Sequence, residues 1–202
     1  MRRLLFTSLV LVLSATSAQA QSATWELSAL AGYVFPVELE RQADEVDATR
    51  IGGGVTWSFQ AARFFTQNLA AEVSWTDQPA SAYEVELGGV TSEFFAMSIG
   101  HLDGSAVYEF GAADARLRPF VFGGLGATFF RARDIPMETK LSAGLGGGAK
   151  LFPWPNIGLR GQIRYRPIWM NDEDSLTFCD PFGFCQSTLR QFEFAGGVTF
   201  RF

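Results

Sequence analysis

The sequence predicts an all-β fold, an eight-stranded antiparallel up-and-down transmembrane β-barrel. Three observations predict it. Eight segments in succession alternate apolar and polar side chains with a period of two. The connections between them tend to alternate between short and long. The chain is also rich in aromatics and glycine, with 20 Phe, 5 Trp, 4 Tyr and 21 Gly. Yet after the first twenty residues no continuous apolar run is long enough for a membrane helix, which needs ~20 residues. A membrane barrel hides its hydrophobicity in alternation, so its average composition looks ordinary.

The strands read as follows. The first, Trp25–Phe35, sets Trp25, Leu27, Ala29, Ala31, Tyr33 and Phe35 against Glu26, Ser28 and Gly32. The second, Arg50–Gln60, puts Ile51, Val55, Trp57 and Phe59 opposite Thr56, Ser58 and Gln60. The third, Leu69–Thr76, opposes Leu69, Ala71, Val73 and Trp75 to Glu72, Ser74 and Thr76. The fourth covers Phe94–Phe110, with Leu102, Ala106, Tyr108 and Phe110 against His101, Asp103, Ser105 and Glu109. The fifth, Arg116–Arg131, carries Leu117, Val121, Leu125, Ala127 and Phe129 on one side. The sixth, Lys140–Phe152, alternates Leu141, Ala143, Leu145, Ala149 and Leu151 with Lys140, Ser142, Gly144, Gly146 and Lys150. The seventh sets Leu159, Ile163 and Tyr165 against Arg160, Gln162, Arg164 and Arg166. In the eighth, Phe192, Phe194, Val198, Phe200 and Phe202 oppose Gln191, Glu193, Thr199 and Arg201.

Period two alone does not separate a membrane barrel from a soluble sandwich. Connection length does. The segments 61–68, 111–115 and 153–156 are short, whereas 36–49, 77–93 and 171–188 are long and 132–139 is intermediate. Short inner turns and long outer loops are the asymmetry of outer-membrane barrels. An even strand count then places both termini on the periplasmic side. A further hairpin within 81–93 would raise the count to ten. Aromatics gather at the strand ends, where rings with a polar edge suit a membrane interface. Phe64, Phe65, Tyr108, Phe110, Trp154, Phe200 and Phe202 fall at one end; Tyr33, Phe35, Trp75, Phe94, Phe95, Phe129 and Trp169 fall at the other.

The first twenty residues have the pattern of an export signal. Arg2 and Arg3 precede an apolar run through Leu13, and Ala18-Gln19-Ala20 supplies a small-x-small cleavage site. The expected division is a signal peptide at 1–20 and one barrel domain at 21–202. With 16 Lys and Arg against 21 Asp and Glu, and no basic patch, nothing favours a nucleic-acid partner.

The polar face would line the lumen. It brings Glu26, Glu72, His101, Asp103, Glu109, Arg116, Arg118, Lys140, Lys150, Arg160, Arg164, Arg166, Glu193 and Arg201 inward. Acids and bases both occur, so charges can pair. Of these, Glu72, His101, Asp103, Glu109, Arg118, Arg160, Arg164, Glu193 and Arg201 are the expected lumen charge network. Eight strands enclose an interior that side chains can fill. Glycine clusters at 52–54, 123–124, 146–148 and 196–197 give room for bending and long inward side chains. They are not phosphate loops, because no Gly-Lys-Ser/Thr follows.

Cys179 and Cys185 lie in the longest outer loop, in Cys-Asp-Pro-Phe-Gly-Phe-Cys. An oxidising location favours a loop-closing disulfide over free thiols or a metal site. With a single His in the chain, no metal or cofactor is expected. The acidic residues Glu38, Glu40, Asp44, Glu45 and Asp47 read as a solvated loop, without the fixed ligand spacing of a cation site.

Val198-x-Phe200-x-Phe202 resembles the C-terminal assembly signal of bacterial outer-membrane proteins. The stretch Gly144–Arg166 resembles the sixth and seventh strands of generic outer-membrane β-barrel domain proteins, a strand, a tight Pro/Asn turn and a strand. The chain beyond the leader resembles the small outer-membrane barrel family that includes the OmpA and OmpX types. The resemblance implies outer-membrane lipid and lipopolysaccharide as surroundings, and periplasmic chaperones and the barrel-assembly machinery as partners. It leaves any extracellular ligand unknown.

Three functions follow as expectations. The leading one is a non-enzymatic structural or surface-interaction barrel with a side-chain-filled lumen. A narrow channel or hydrophobic-solute transporter is the second. The third is a lipid A-modifying enzyme, for which His101, Asp103 and Ser105 are the residues to inspect. Alternate residues on one strand lie ~7 Å apart, which leaves a wide gap for a catalytic hydrogen-bond chain. The spacing also differs from the His-x-Ser arrangement of lipid A deacylases, so no catalytic residue is assigned.

Overall fold

A computed structural model describes residues 25–35, 37–38, 49–51, 53–87, 90–112, 115–132, 137–169 and 188–202. The elements are β1 (Trp25–Val34), β2 (Val37–Glu38), β3 (Thr49–Ile51), β4 (Gly54–Phe64), β5 (Leu69–Leu87), β6 (Val90–Glu109), β7 (Leu117–Ala132), β8 (Glu138–Leu151), β9 (Ile157–Trp169) and β10 (Thr188–Arg201). All pairings are antiparallel. Each of β4 to β10 pairs with the next, and β1 joins β10 to β4. This closes a barrel of eight strands, the arrangement that lets a sheet satisfy its backbone groups in hydrocarbon. The short β2 and β3 continue β1 and β4 beyond the ring, with β2 paired to β3 and β3 to β5.

Alternation in the sequence becomes an inside-out burial pattern. In β9 the residues alternate exposed and buried from Ile157 onward, and the buried ones include Arg160, Gln162, Arg164 and Arg166. Meanwhile Phe59, Leu125 and Leu141 are each 60 % or more exposed. A soluble domain would reverse this. Here lipid meets the apolar face and the lumen takes the charges.

The rim that carries Trp25 and Phe202 has compact turns. Asn68 Nδ2 donates to the Glu109 oxygen at 2.6 Å and to the Gly111 oxygen at 3.0 Å, tying the 65–68 turn to the next one. Gly111 sits at φ 100°, a backbone region that favours glycine. Asn156 Nδ2 donates to the Arg201 oxygen at 2.9 Å, anchoring the Pro-Trp-Pro-Asn turn to β10. Phe202 N donates to Trp25 O and Trp25 N to Phe202 O, so the last residue helps seal the ring.

Four expectations need correction. The segment 77–93 is not a long loop. β5 and β6 run on through it as one hairpin, paired as far as Leu87 with Val90, across register shifts between Gln78 and Ser81 and between Tyr83 and Glu84. This extension adds no barrel strand, and the count stays at eight. Second, β3 and β4 divide the strand read as Arg50–Gln60, and β4 continues to Phe64. Third, Phe64 is buried inside rather than placed at the rim. Fourth, Arg116 is exposed in the turn before β7. The export signal, the two cysteines, residues 40–47 and the side chains of Phe94 and Phe95 lie outside what is described.

Candidate functional site

The lumen is built in layers, because inward residues from all eight strands meet at each height. The layer nearest the Trp25/Phe202 rim gathers three cations on two carboxylates. Lys150 Nζ donates to Glu26 Oε2 and, at 2.6 Å, to Glu109 Oε1. Arg201 Nε donates to Glu26 Oε1 at 2.7 Å. Arg118 Nε lies 2.9 Å from Glu109 Oε2, and its Nη2 donates to the Gln67 oxygen at 2.7 Å. Aromatic faces support these cations. Lys150 Nζ is 5.5 Å from the ring centres of both Phe64 and Phe120, and Arg201 is 4.2 Å from that of Phe152.

The next layer is a two-pronged pair. Arg160 Nη1 and Nη2 donate to Glu72 Oε2 and Oε1 at 2.6 and 3.1 Å. Its Nε donates to Gln162 Oε1 at 2.9 Å, and its guanidinium lies 4.6 Å from the Phe120 ring centre. Above it, Asp103 Oδ2 accepts from Arg164 Nη1 at 2.8 Å and Arg166 Nη2 at 2.9 Å. Arg166 Nη1 is 3.6 Å from Glu193 Oε2, while Thr56 Oγ1 donates to Glu193 Oε1 at 3.2 Å. His101 Nδ1 and Thr128 Oγ1 are 2.9 Å apart. Toward the far rim the layer turns apolar. Register sets Ile99 beside Phe130 and Ile168 beside Leu189, and all four are buried.

All nine residues of the expected charge network therefore face the interior. Eight are buried and Arg201 is part-exposed at the mouth. The sequence reasoning missed the inward aromatics Phe64, Phe120, Phe122 and Phe152. A signal was present: Phe120 and Phe122 share the parity of Arg118 on β7, and Phe64 that of Gln60 on β4. Val198, Phe200 and Phe202 point outward from β10.

The chemistry of the layers is charge neutralisation in a closed interior. His101, Asp103 and Ser105 all face inward and are buried, but they do not assemble as a triad. The hydrogen-bond partner of His101 is Thr128, and Asp103 is held by two arginines. Among the described residues no three His, Cys, Asp or Glu side chains gather as a metal-binding group.

A second feature stands outside the ring. β5 pairs with β4 only up to Asp77, and β6 with β7 only from Met97. Beyond those points the hairpin leaves the barrel. From Asp77 to Leu87 it is ~33 Å long at ~3.3 Å per residue. β3 lines one side of it, pairing Thr49–Ile51 with Val85–Tyr83. On the other side, β6 from Val90 to Ala96 has no strand partner besides β5 among the described residues.

The family model described as outer membrane protein beta-barrel domain matches residues 6–202. No curated protein matches the sequence. Among solved structures, Neisserial surface protein A is similar at TM-score 0.61 and 15 % identity, covering 88 % of this chain and 97 % of that one. OprG of Pseudomonas aeruginosa is similar at TM-score 0.58 and 9 % identity, covering 89 % and 96 %. Ail of Yersinia pestis, an attachment invasion locus protein solved with the heparin analogue sucrose octasulfate, is similar at TM-score 0.52 and 12 % identity, covering 89 % and 99 %. Identities this low speak for a shared fold.

Proposed function

This chain belongs to the outer membrane protein beta-barrel domain family, and from that premise we propose that it is a non-enzymatic barrel whose working part is its projecting sheet. The observation that carries the reading is the pair of features just described. The lumen is packed with paired charges at successive heights, and the β5–β6 hairpin extends far past the ring with one edge that has no second partner among the described residues. Such an edge offers backbone N–H and C=O groups to an added strand. The lumen gives an axial solute no comparable opportunity. Both termini then face the periplasm and the hairpin faces outward.

Outer-membrane lipid and lipopolysaccharide surround the apolar wall in this reading. Val198, Phe200 and Phe202 serve as the signal read by the barrel-assembly machinery, after periplasmic chaperones deliver the chain. Cys179 and Cys185 form a disulfide in the outer loop. An enzyme of this kind would need His101, Asp103 and Ser105 joined in one hydrogen-bond chain; instead His101 Nδ1 meets Thr128 Oγ1 and Asp103 Oδ2 meets two arginines, which argues against it.

The test compares cells that display the full protein with cells that display a variant lacking 80–95, closed by a two-residue turn. Attachment to surfaces or other cells is expected to fall at least fivefold in the variant while heat-modifiable migration is kept. Planar bilayers containing the purified full-length protein are expected to show no stable channels. Unchanged attachment, or steady conductance steps, would refute the proposal.

A further inference from the structure

The middle of the lumen holds guanidinium groups that the nearby carboxylates do not saturate. Arg164 donates Nη1 to Asp103 Oδ2 at 2.8 Å and to Ser74 Oγ at 3.3 Å. Its Nε and Nη2 have no hydrogen-bond partner, although the side chain is only 1 % exposed. Those two nitrogens form one edge of the guanidinium, the fork that matches a carboxylate or phosphate. Arg166 shares the same Asp103 oxygen, and its Nε is also buried without a partner. Ser142 Oγ is a further buried polar atom with none. Buried donors are normally satisfied by protein, water or a ligand.

The wall beside them has room for a methyl group at one inward position. Gly144 faces inward on β8, and a Cβ built there would meet its nearest atom, Arg164 Cδ, at 3.9 Å. Its neighbours along the strand differ. A Cβ at Gly146 would run into the Phe122 ring at 2.5 Å, and one at Gly148 into the Phe120 ring at 2.9 Å. So Gly144 is the inward glycine of this run whose space no ring fills. The Phe122 ring centre lies 5.0 Å from the Arg164 guanidinium.

The hydrogen bonding between β8 and β9 is interrupted at the same height, with the register unchanged on either side. The β8–β9 ladder runs from Leu151 and Leu159 up to Leu145 and Tyr165, skips the next two positions, and resumes in the single pair Ser142 with Ile168. The skipped positions are Gly144 with Arg166 and Ala143 with Pro167, whose ring nitrogen carries no hydrogen.

We propose that Arg164, Arg166 and Ser142 form an internal oxyanion site at Gly144. It takes a carboxylate or phosphate group on the Nε–Nη2 edge of Arg164, and the interruption between β8 and β9 is its entrance. Asp103 Oδ1 and Glu193 Oε2 are buried acceptors without hydrogen-bond partners of their own, so the site competes with ordered water that could bridge them. This goes beyond the surface role: the lumen is closed to axial flow but holds a lateral site.

The experiment uses the full-length protein refolded in nanodiscs, with folding checked by heat-modifiable migration. Two probes are titrated at pH 8, carboxyl-¹³C decanoate and inorganic phosphate, and followed by ¹³C and ³¹P NMR. Saturable decanoate binding is expected in the wild type. It should weaken at least tenfold in Arg164→Gln and in Gly144→Leu, which keeps every charge. Arg131→Gln, at an exposed arginine on the outer wall, should leave it unchanged. Phosphate binding with the same variant pattern would mean that the site also opens to water. Decanoate binding without phosphate binding would mean entry from the lipid side. If neither probe saturates, or if both site variants bind as the wild type does, the polar atoms are satisfied by water and the proposal fails.

Discussion

Glu109 is the residue whose loss the lower lumen tolerates least, and the geometry says why. Lys150 Nζ at 2.6 Å, Arg118 Nε at 2.9 Å and Arg201 Nη2 at 3.7 Å all converge on its carboxylate. Glu109→Gln leaves those three cations with Glu26 alone. Two unit charges 4 Å apart interact by ~4 kcal/mol at an effective dielectric of ~20, and breaking a buried pair on one side costs ~3–5 kcal/mol. The expected loss is about 4 kcal/mol. Lys150→Met is different. It leaves two carboxylates, each with its own arginine, in a charge-balanced cluster of similar volume. Replacing a buried charge by an apolar side chain also removes its desolvation cost, so the expected loss is about 1–2 kcal/mol. The double variant should be more stable than Glu109→Gln alone by about 1 kcal/mol, since it removes an unpaired cation. Urea unfolding in lipid vesicles, followed by tryptophan fluorescence, measures all three. If Lys150→Met costs as much as Glu109→Gln, or if the two losses simply add, the charge-balance argument is refuted.

Arg160→Lys replaces the two-pronged contact with Glu72 by a point charge and should cost about 1–2 kcal/mol in the same unfolding assay. Gly148→Ala puts a methyl group on the Gly161 carbonyl oxygen and should cost at least ~2 kcal/mol, whereas Gly161→Ala, with nothing within 4 Å, should be near neutral. Leu125→Arg, midway along β7 on the outer wall, should cost ~2–4 kcal/mol in vesicles, where a soluble protein would accept it. Phe202→Ala should slow assembly in cells while refolding into detergent stays normal; equal slowing in both would remove the assembly-signal reading.

The legible part of the fold was the part that period two controls. Each strand's lipid face followed from parity, and so did the inward set that ends in Arg160, Arg164 and Glu193. What parity cannot give is who meets whom across the ring. Lys150 and Glu26 are 124 positions apart, and they meet because of the stagger with which the barrel closes. The 77–93 error has a similar origin. The pairing slips between Gln78 and Ser81 and resumes beyond it, and an alternation pattern is not followed across such a slip. Phe64 was misplaced because aromatics near strand ends were counted without asking which face each one occupied. Its ring is needed inside, under Lys150 and Arg118.

The place where the closed ladder ends also locates the membrane boundary. In hydrocarbon no strand edge can go unpaired, because each unmet N–H or C=O costs several kcal/mol. β5 keeps both neighbours from Ala70 to Asp77, and β6 keeps both from Met97 to Glu109. A spanning strand needs ~9–11 residues, and the β5 stretch from Ala70 to Asp77 already falls just short of that, so the hydrocarbon cannot reach much past Asp77 and Met97. The side chains at that height agree. Arg131 lies 5.8 Å from the Trp75 ring centre and 3.9 Å from Asp77 Oδ1, a cation, an indole and a carboxylate together on the outer wall. That mixture suits the polar interface and would be costly deeper in the lipid. The edge of β6 that has no second partner among the described residues therefore begins where water first becomes available to satisfy it. A trimmed hairpin should consequently leave the barrel's stability in vesicles unchanged within about 0.5 kcal/mol, because none of the removed pairing lies in the hydrocarbon. A large loss of stability would place the boundary higher and make the hairpin part of the membrane wall.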